Sequence, residues 1–275
     1  MDNKGNMNNV ISIIMAGGMG KRMGSTLPKV LHHIGGIPMI NRIILNIKQL
    51  STLVNLKEII VVVGKYKDQI KEAIEELTDL PNIVYVTQEV PQGTGHAIMC
   101  CKEELSKYPD YQVLILSGDV PMLSFTTMFY LISREHNNNN NNNNDNVKLI
   151  TADISPPDGY GRVAMKDGKF DKIVEHKDCN EEELRITQIN AGIYCIKSDL
   201  LCKYLPYIKN NNNQGEYYLT DIIEIIKREE QIDVGILEIE KDKTVEIVGI
   251  NTLEQLCELE VAIQNKIDNN LKIYL

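Results

Sequence analysis

The chain has 275 residues, 43% hydrophobic and 24% charged, enough to bury the core of one large α/β unit or two small ones. Its formal net charge of −9 argues against a general nucleic-acid or anionic-membrane surface but permits a local basic pocket for one small anionic ligand. No apolar run approaches the ~20 residues that span a bilayer, and Met1 to Asn9 is polar without a signal-like apolar stretch, so a cytoplasmic location is expected, with no nucleic-acid or membrane partner.

Residues 1–9 are expected to be disordered. Val10 to Met15 reads as a buried parallel strand, which places Ala16 to Gly20 at its C-terminal end, the edge where open α/β sheets bind ligands. Gly17, Gly18 and Gly20 let backbone N–H groups approach phosphate oxygens, and Arg22 and Lys29 add positive charge, so the expected ligand is a nucleoside triphosphate. The loop fits neither G-x-x-x-x-G-K-[ST] nor G-x-G-x-x-G.

Ile40, Ile43, Ile44, Ile47 and Leu50 recur at helical spacing, Glu58 to Val63 is a β-branched strand, and Ile70, Ala73, Ile74 and Leu77 mark a second helix. Asn82 to Thr87, a helix from about Gly95 to Lys107 and the strand Gln112 to Ser117 continue the alternation. This order predicts an α/β fold, a Rossmann-like, mostly parallel sheet with helices on both faces. Gln88 and the turn Gly93-Thr94-Gly95, whose helix is expected to present free N–H groups, offer donors and an acceptor that suit the pairing edge of uracil. His96 is expected to pack or cap. Asp119, delivered to the same sheet edge by Gly118-Asp119-Val120-Pro121, suits Mg²⁺, with Asn251, after a further strand, as the second oxygen donor.

Asn137 to Asn144 is a run of eight asparagines, expected to be a tolerated surface-loop expansion within 137–146 after a helix ending near His136. From Val147 the texture turns to hairpins, with Asp167-Gly168 suited to a type I′ turn, which predicts a smaller antiparallel lobe. A helix from Thr220 or Asp221 to about Glu230 is expected to be capped through Asp221 and Glu224, and an amphipathic helix from Thr252 to about Leu271 carries Leu256, Leu259, Ile263 and Ile267 on one face. Cys100, Cys101, Cys179, Cys195, Cys202 and Cys257 form no C-x-x-C and read as small core residues without a metal or disulfide role.

The segments A-G-G-M-G-K-R-M and L-P-K resemble the signature of the sugar-nucleotide pyrophosphorylases. Together with Q-G-T-G-H-A, G-D-V-P, G-Y-G-R, I-V-E-H-K-D, I-N-A-G, N-N-Q-G-E-Y-Y-L-T-D-I-I and G-I-N, they resemble one branch closely, the N-acetylglucosamine-1-phosphate uridylyltransferase domain of bacterial bifunctional enzymes, from about Val10 to Glu260. The resemblance implies transfer of UMP from UTP to N-acetylglucosamine-1-phosphate. It implies phosphate contacts at Arg22 and Lys29, nucleotide binding by Ala16, Gly17, Gly18, Gly20, Gln88, Gly93 and Thr94, Mg²⁺ at Asp119 and Asn251, and sugar binding by Gly161, Glu175 and Asn190. A single unit over 10–275 would then comprise a nucleotide lobe (10–136), a sugar lobe returning to the sheet (147–251) and a C-terminal helix (252–275). Lys21 replaces the family's usual threonine and Ser117 a frequent tyrosine. The chain stops after one helix, with no hexapeptide repeat, so an acetyltransferase β-helix domain is not expected and the sugar phosphate would come from another enzyme. Oligomeric state is left open. The rival readings are a related pyrophosphorylase using glucose-1-phosphate or dTTP, and a non-catalytic nucleotide-sugar-binding subunit.

Overall fold

The computed structural model describes residues 7–18, 20–133 and 146–268. The asparagine run, residues 1–6, the expected helix end near His136 and the last turn of the expected C-terminal helix lie outside them. The first half contains β1 (Asn9–Met15), a small hairpin of β2 (His33–Ile34) and β3 (Ile37–Pro38), α1 (Met39–Leu50), β4 (Asn55–Val63), α2 (Lys67–Glu75) and β5 (Ile83–Thr87). It continues through α3 (Thr94–Met99), α4 (Lys102–Leu105), β6 (Gln112–Ser117) and α5 (Phe125–Ile132). The second half adds β7 (Val147–Asp153), β8 (Gly161–Lys166), β9 (Lys169–Val174), β10 (Gln188–Lys197), α6 (Ser198–Tyr204), α7 (Thr220–Glu230), β11 (Gly235–Ile239) and α8 (Leu253–Asp268).

Nine of the strands form one sheet among the described residues, in the order β11-β7-β10-β6-β1-β4-β5, with β8 and β9 joined to it through β10, while β2 and β3 pair apart from it. Strands β1, β4, β5 and β6 are parallel, as are β7 and β11, whereas β10 runs antiparallel to β6, β7 and β8. The expected antiparallel lobe is therefore continuous with the parallel sheet. Its β8–β9 turn has positive φ at both Asp167 and Gly168, as a type I′ turn requires.

Period-two alternation along β1 builds both layers. Val10 and Ile14 join the apolar face covered by α1, α2 and α5, while Ile11 and Ile13 join the face covered by α3, α4, α6 and α7. A third cluster places Leu256, Leu259 and Ile263 of α8 against Ile34, Met39, Met122 and Ile250. No helix of the described residues is long and apolar enough to cross a membrane.

Several local expectations are corrected. Asn8 and Asn9, expected in a disordered lead, are tied to Asn55, through Asn55 N–H to Asn8 O at 2.9 Å and Asn55 Nδ2 to Asn9 Oδ1 at 2.7 Å. The single helix expected from Gly95 to Lys107 breaks at Cys100-Cys101. There the Cys101 N–H turns to Ile98 O and its thiol donates to Ala97 O, the carbonyl that an α-helical N–H would have used. Asp221 and Glu224 do not cap α7, because Leu219 enters the helix already in αR conformation and the first turn is closed by backbone bonds from Asp221 to Tyr218 O and from Ile222 to Leu219 O. Asn251 follows a 3-10 segment, Lys241–Ile247, in place of a strand; Glu246 within it accepts from the Ser124 hydroxyl at the start of α5, which ties the segment to that helix. Cys101 and Cys195 are buried, but Cys257 is exposed on the outer side of α8 and is no core residue.

Candidate active site

Parallel strands β1 and β6 end side by side, pinned by Gly118 N–H to Met15 O at 2.9 Å, so the glycine loop and the Gly118-Asp119 turn share one edge. Gly20 takes φ +57°, and a Cβ there would lie 2.8 Å from Lys29 Cβ. Glycine at this position lets the lysine stem pass under the loop. Lys29 Nζ then contacts Asp119 Oδ2 and donates to Asn251 Oδ1 at 3.2 Å, while Arg22 Nη2 donates to the same amide oxygen at 2.9 Å. Asp119 is further fixed by the Ser117 hydroxyl, which donates to Oδ1 at 2.6 Å, and by Ile250 N–H, which donates to its carbonyl at 2.9 Å.

Two oxygens, one of them anionic, thus converge on a single ammonium. That donor set fits a hard divalent cation, which needs few protein oxygens when phosphates and water supply the rest. No cluster of three or more His, Cys, Asp or Glu side chains able to hold a metal occurs among the described residues.

Beside this group opens a cavity of about 250 Å³ lined by Ala16, Gly17, Gly18, Lys29, Gln88, Gly93, Thr94, Ser117, Asp119 and Glu216, among others. Gly20, Arg22 and Asn251 lie outside its lining. Gln88 is buried, donating to Gly93 O at 3.1 Å and meeting His96 Nδ1 at 3.0 Å, so His96 braces this amide. The Gly95 N–H, expected to be free for a ligand, instead donates to Tyr217 O at 2.7 Å. A passing backbone has taken that donor.

Gly161, Glu175 and Asn190 are brought together apart from the cavity lining. Asn190 pairs with Gly161 between β10 and β8, and Glu175 Oε2 lies 3.6 Å from where a Gly161 Cβ would stand. Glu175 Oε1 accepts from the Thr220 hydroxyl at 3.0 Å, and Asn190 Nδ2 donates to Tyr194 Oη at 2.7 Å. Burial pushes the Glu175 carboxyl up, Thr220 draws it back, and Asp178 and Glu216 add to the rise.

Two connections between these groups were not assigned from sequence. Residues 216–220 run from the cavity to the polar triad: Glu216 lines the cavity, Tyr217 N–H donates to Gln92 O, Leu219 N–H to Thr94 Oγ1, and Thr220 reaches Glu175. Tyr160 bonds to the Gly249 backbone and feels the charge of Asp119, which links the Gly159-Tyr160-Gly161 loop to the neighbourhood of that carboxylate. The motif letters G-E-Y-Y-L-T and G-Y-G-R were the available signal, but neither carries its own contact.

At the start of α7, burial first, then Glu175, Glu224 and Asp178, push the Asp221 carboxyl up to about 6. A carboxyl raised above its unfolded value near 3.9 favours folding most at low pH, and that contribution is lost as pH rises through about 6. Fully sheltered, a shift of this size would be worth about 3 kcal/mol, but solvent screening of this half-buried group reduces it to about 1 kcal/mol. Asp221→Asn is expected to flatten the stability profile between pH 4 and pH 6 and to stabilise the fold at pH 7, as read by urea unfolding across that range. An unchanged slope would place the titration elsewhere.

A family model described as nucleotidyl transferase matches residues 11–242. A bifunctional protein GlmU of Clostridium botulinum (strain 657 / Type Ba4) is 39% identical over 259 residues, and that of Clostridium tetani is 38% identical over 258. Each alignment covers 94% of this chain and 53% of the relative, so the chain spans about half the length of the curated relatives it matches. Among solved structures, a UDP-glucose pyrophosphorylase complexed with UDP-glucose superposes with a TM-score of 0.69 at 16% identity, covering 95% of this chain and 100% of that one. A putative glucose-1-phosphate thymidylyltransferase from Bacillus anthracis gives 0.67 at 18% identity, covering 93% and 96%. At such identities these two bear on the fold alone.

Proposed function

We propose, from the premise that this chain belongs to the nucleotidyl transferase family, that it transfers UMP from UTP to N-acetylglucosamine-1-phosphate, releasing pyrophosphate and forming UDP-N-acetylglucosamine. The observation that carries the reading is the convergence of Arg22, Lys29, Asp119 and Asn251 beside a cavity lined by the glycine loop and Gln88, with the polar triad tied to that cavity through residues 216–220. In this reading Ala16, Gly17, Gly18 and Gly20 face the phosphates, Gln88, Gly93 and Thr94 face uracil, and Gly161, Glu175 and Asn190 take sugar hydroxyl and amide groups.

A phosphate oxygen of the sugar phosphate attacks the α-phosphorus of UTP in line. One P–O bond forms, the bond from that phosphorus to the bridging oxygen breaks, and pyrophosphate leaves with the electron pair. The attacking group is already an anion, so no protein base or nucleophile is needed. Lys29 and Arg22 would exchange their present oxygen partners for phosphate, concentrating positive charge where negative charge builds up. Mg²⁺ held by Asp119 and Asn251 would supply charge neutralisation and polarisation of the phosphoryl oxygens.

The test is pyrophosphate release with UTP or dTTP against N-acetylglucosamine-1-phosphate, glucose-1-phosphate, galactose-1-phosphate and glucosamine-1-phosphate, with Asp119→Ala as control. A preference of at least about tenfold in kcat/KM for UTP with the acetylated sugar, abolished in the control, is expected. Turnover favouring glucose-1-phosphate would keep the transfer and discard the sugar assignment. Binding without turnover for every pair would indicate a non-catalytic module.

A further inference from the structure

We propose that Ser117 is a positioning residue that makes Asp119 a one-oxygen ligand and thereby sets which divalent cation the site accepts; this rests on the reading above that Asp119 and Asn251 hold the cation. Ser117 closes β6 and lines the cavity. The turn that follows is pinned along its backbone, with Gly118 N–H on Met15 O, Val120 N–H on Ser117 O at 3.2 Å and Ile250 N–H on Asp119 O. With the backbone fixed, the remaining freedom of Asp119 is rotation of its carboxylate. The Ser117 hydroxyl removes it by donating to Oδ1 at 2.6 Å, a charge-assisted bond, which turns Oδ2 toward Lys29 Nζ, the point where Asn251 Oδ1 also arrives.

A carboxylate held this way presents one oxygen. Mg²⁺ demands near-octahedral geometry and takes carboxylates sparingly, whereas Ca²⁺ accepts six to eight oxygens and readily takes both from one carboxylate. Freed from Ser117, Asp119 can offer both oxygens, and the site should lose part of its preference for the smaller ion.

The probe is Mn²⁺, titrated by electron paramagnetic resonance in the presence of a UTP analogue with an α,β-methylene bridge, with Mg²⁺ and Ca²⁺ as competitors. Ser117→Ala is expected to weaken Mg²⁺ by about 3- to 10-fold and Ca²⁺ by less, with an unchanged thermal midpoint, and Ser117→Thr to restore the wild-type ratio. In steady state, kcat at saturating Mg²⁺ should fall by a similar factor while KM for UTP stays constant. An unchanged Mg²⁺-to-Ca²⁺ ratio in Ser117→Ala, with normal Mn²⁺ binding by wild type, would overturn the role of Ser117 alone. Failure of the wild-type protein to bind Mn²⁺ with the analogue would overturn both this proposal and the reading beneath it.

Discussion

Replacing Lys29 with alanine is expected to lower kcat/KM by about 10²- to 10³-fold, because a charge aimed at a phosphoryl group in a sheltered site is worth roughly 3 to 4 kcal/mol. The same variant is expected to bind Mg²⁺ more tightly than wild type when no nucleotide is present. The ammonium now occupies the point on which Asp119 and Asn251 converge, and any cation entering there must displace it. Calorimetric titration of the nucleotide-free protein, set beside steady-state kinetics, separates the two effects. Weaker Mg²⁺ binding in Lys29→Ala would mean that the lysine assembles the two oxygens instead of competing for them. Near-normal turnover would remove Lys29 from the chemistry. Lys29→Arg should not restore the rate, since a planar guanidinium cannot take the place of the compact ammonium between Asp119 Oδ2 and Asn251 Oδ1.

The largest effect on the fold is expected at Gly93. Its backbone has φ +104° and ψ 174°, a region open almost only to glycine, and an added Cβ would stand 2.6 Å from Tyr217 O and 2.9 Å from Glu216 Cβ. The obstacle is mostly main chain, so no rotamer change relieves it. Gly93→Ala should cost about 3 kcal/mol or more, roughly 6 to 12 °C in melting temperature for a chain of this size, and should loosen the turn that carries the Gln88 contact. Gly18→Ala is the comparison, because nothing lies within 4 Å of its added Cβ. It should melt like wild type and show its effect in UTP affinity. Equal stability for both variants would mean that the Tyr217 segment yields to accommodate the methyl group.

The difference between these glycines marks what could be read from sequence. The loop was recognisable because a buried β-branched run followed by Gly17, Gly18 and Gly20 has one natural place in a parallel sheet, and β6 has the bounds its apolar run predicts. Arg22, Lys29 and Asp119 meet because β1 and β6 end on one edge of a parallel sheet, and Asn251 joins them through the Ile250 N–H bond to Asp119 O. Less legible were features whose cause is a distant segment. Gly93 and Gly95 read as ligand-facing, yet it is the backbone at Tyr217 that crowds them, and Leu219 reaches Thr94 across 125 residues. Thr220 reads as the start of a helix, but its hydroxyl serves Glu175. Ser117 reads as a departure from a motif, and only the turn geometry shows what its hydroxyl holds.

The placement of β10 between β6 and β7 bears on how the site comes into being. A chain made from its N-terminus has Lys29 and Asp119, 90 residues apart, long before it has Asn251, which lies 222 residues from Lys29. Closing the longer loop costs under 1 kcal/mol more, since closure entropy grows only with the logarithm of length. Order of arrival therefore matters more than closure cost. While the sheet waits for β10, the lysine can neutralise the carboxylate, so a half-built nascent chain need not shelter an unpaired acid.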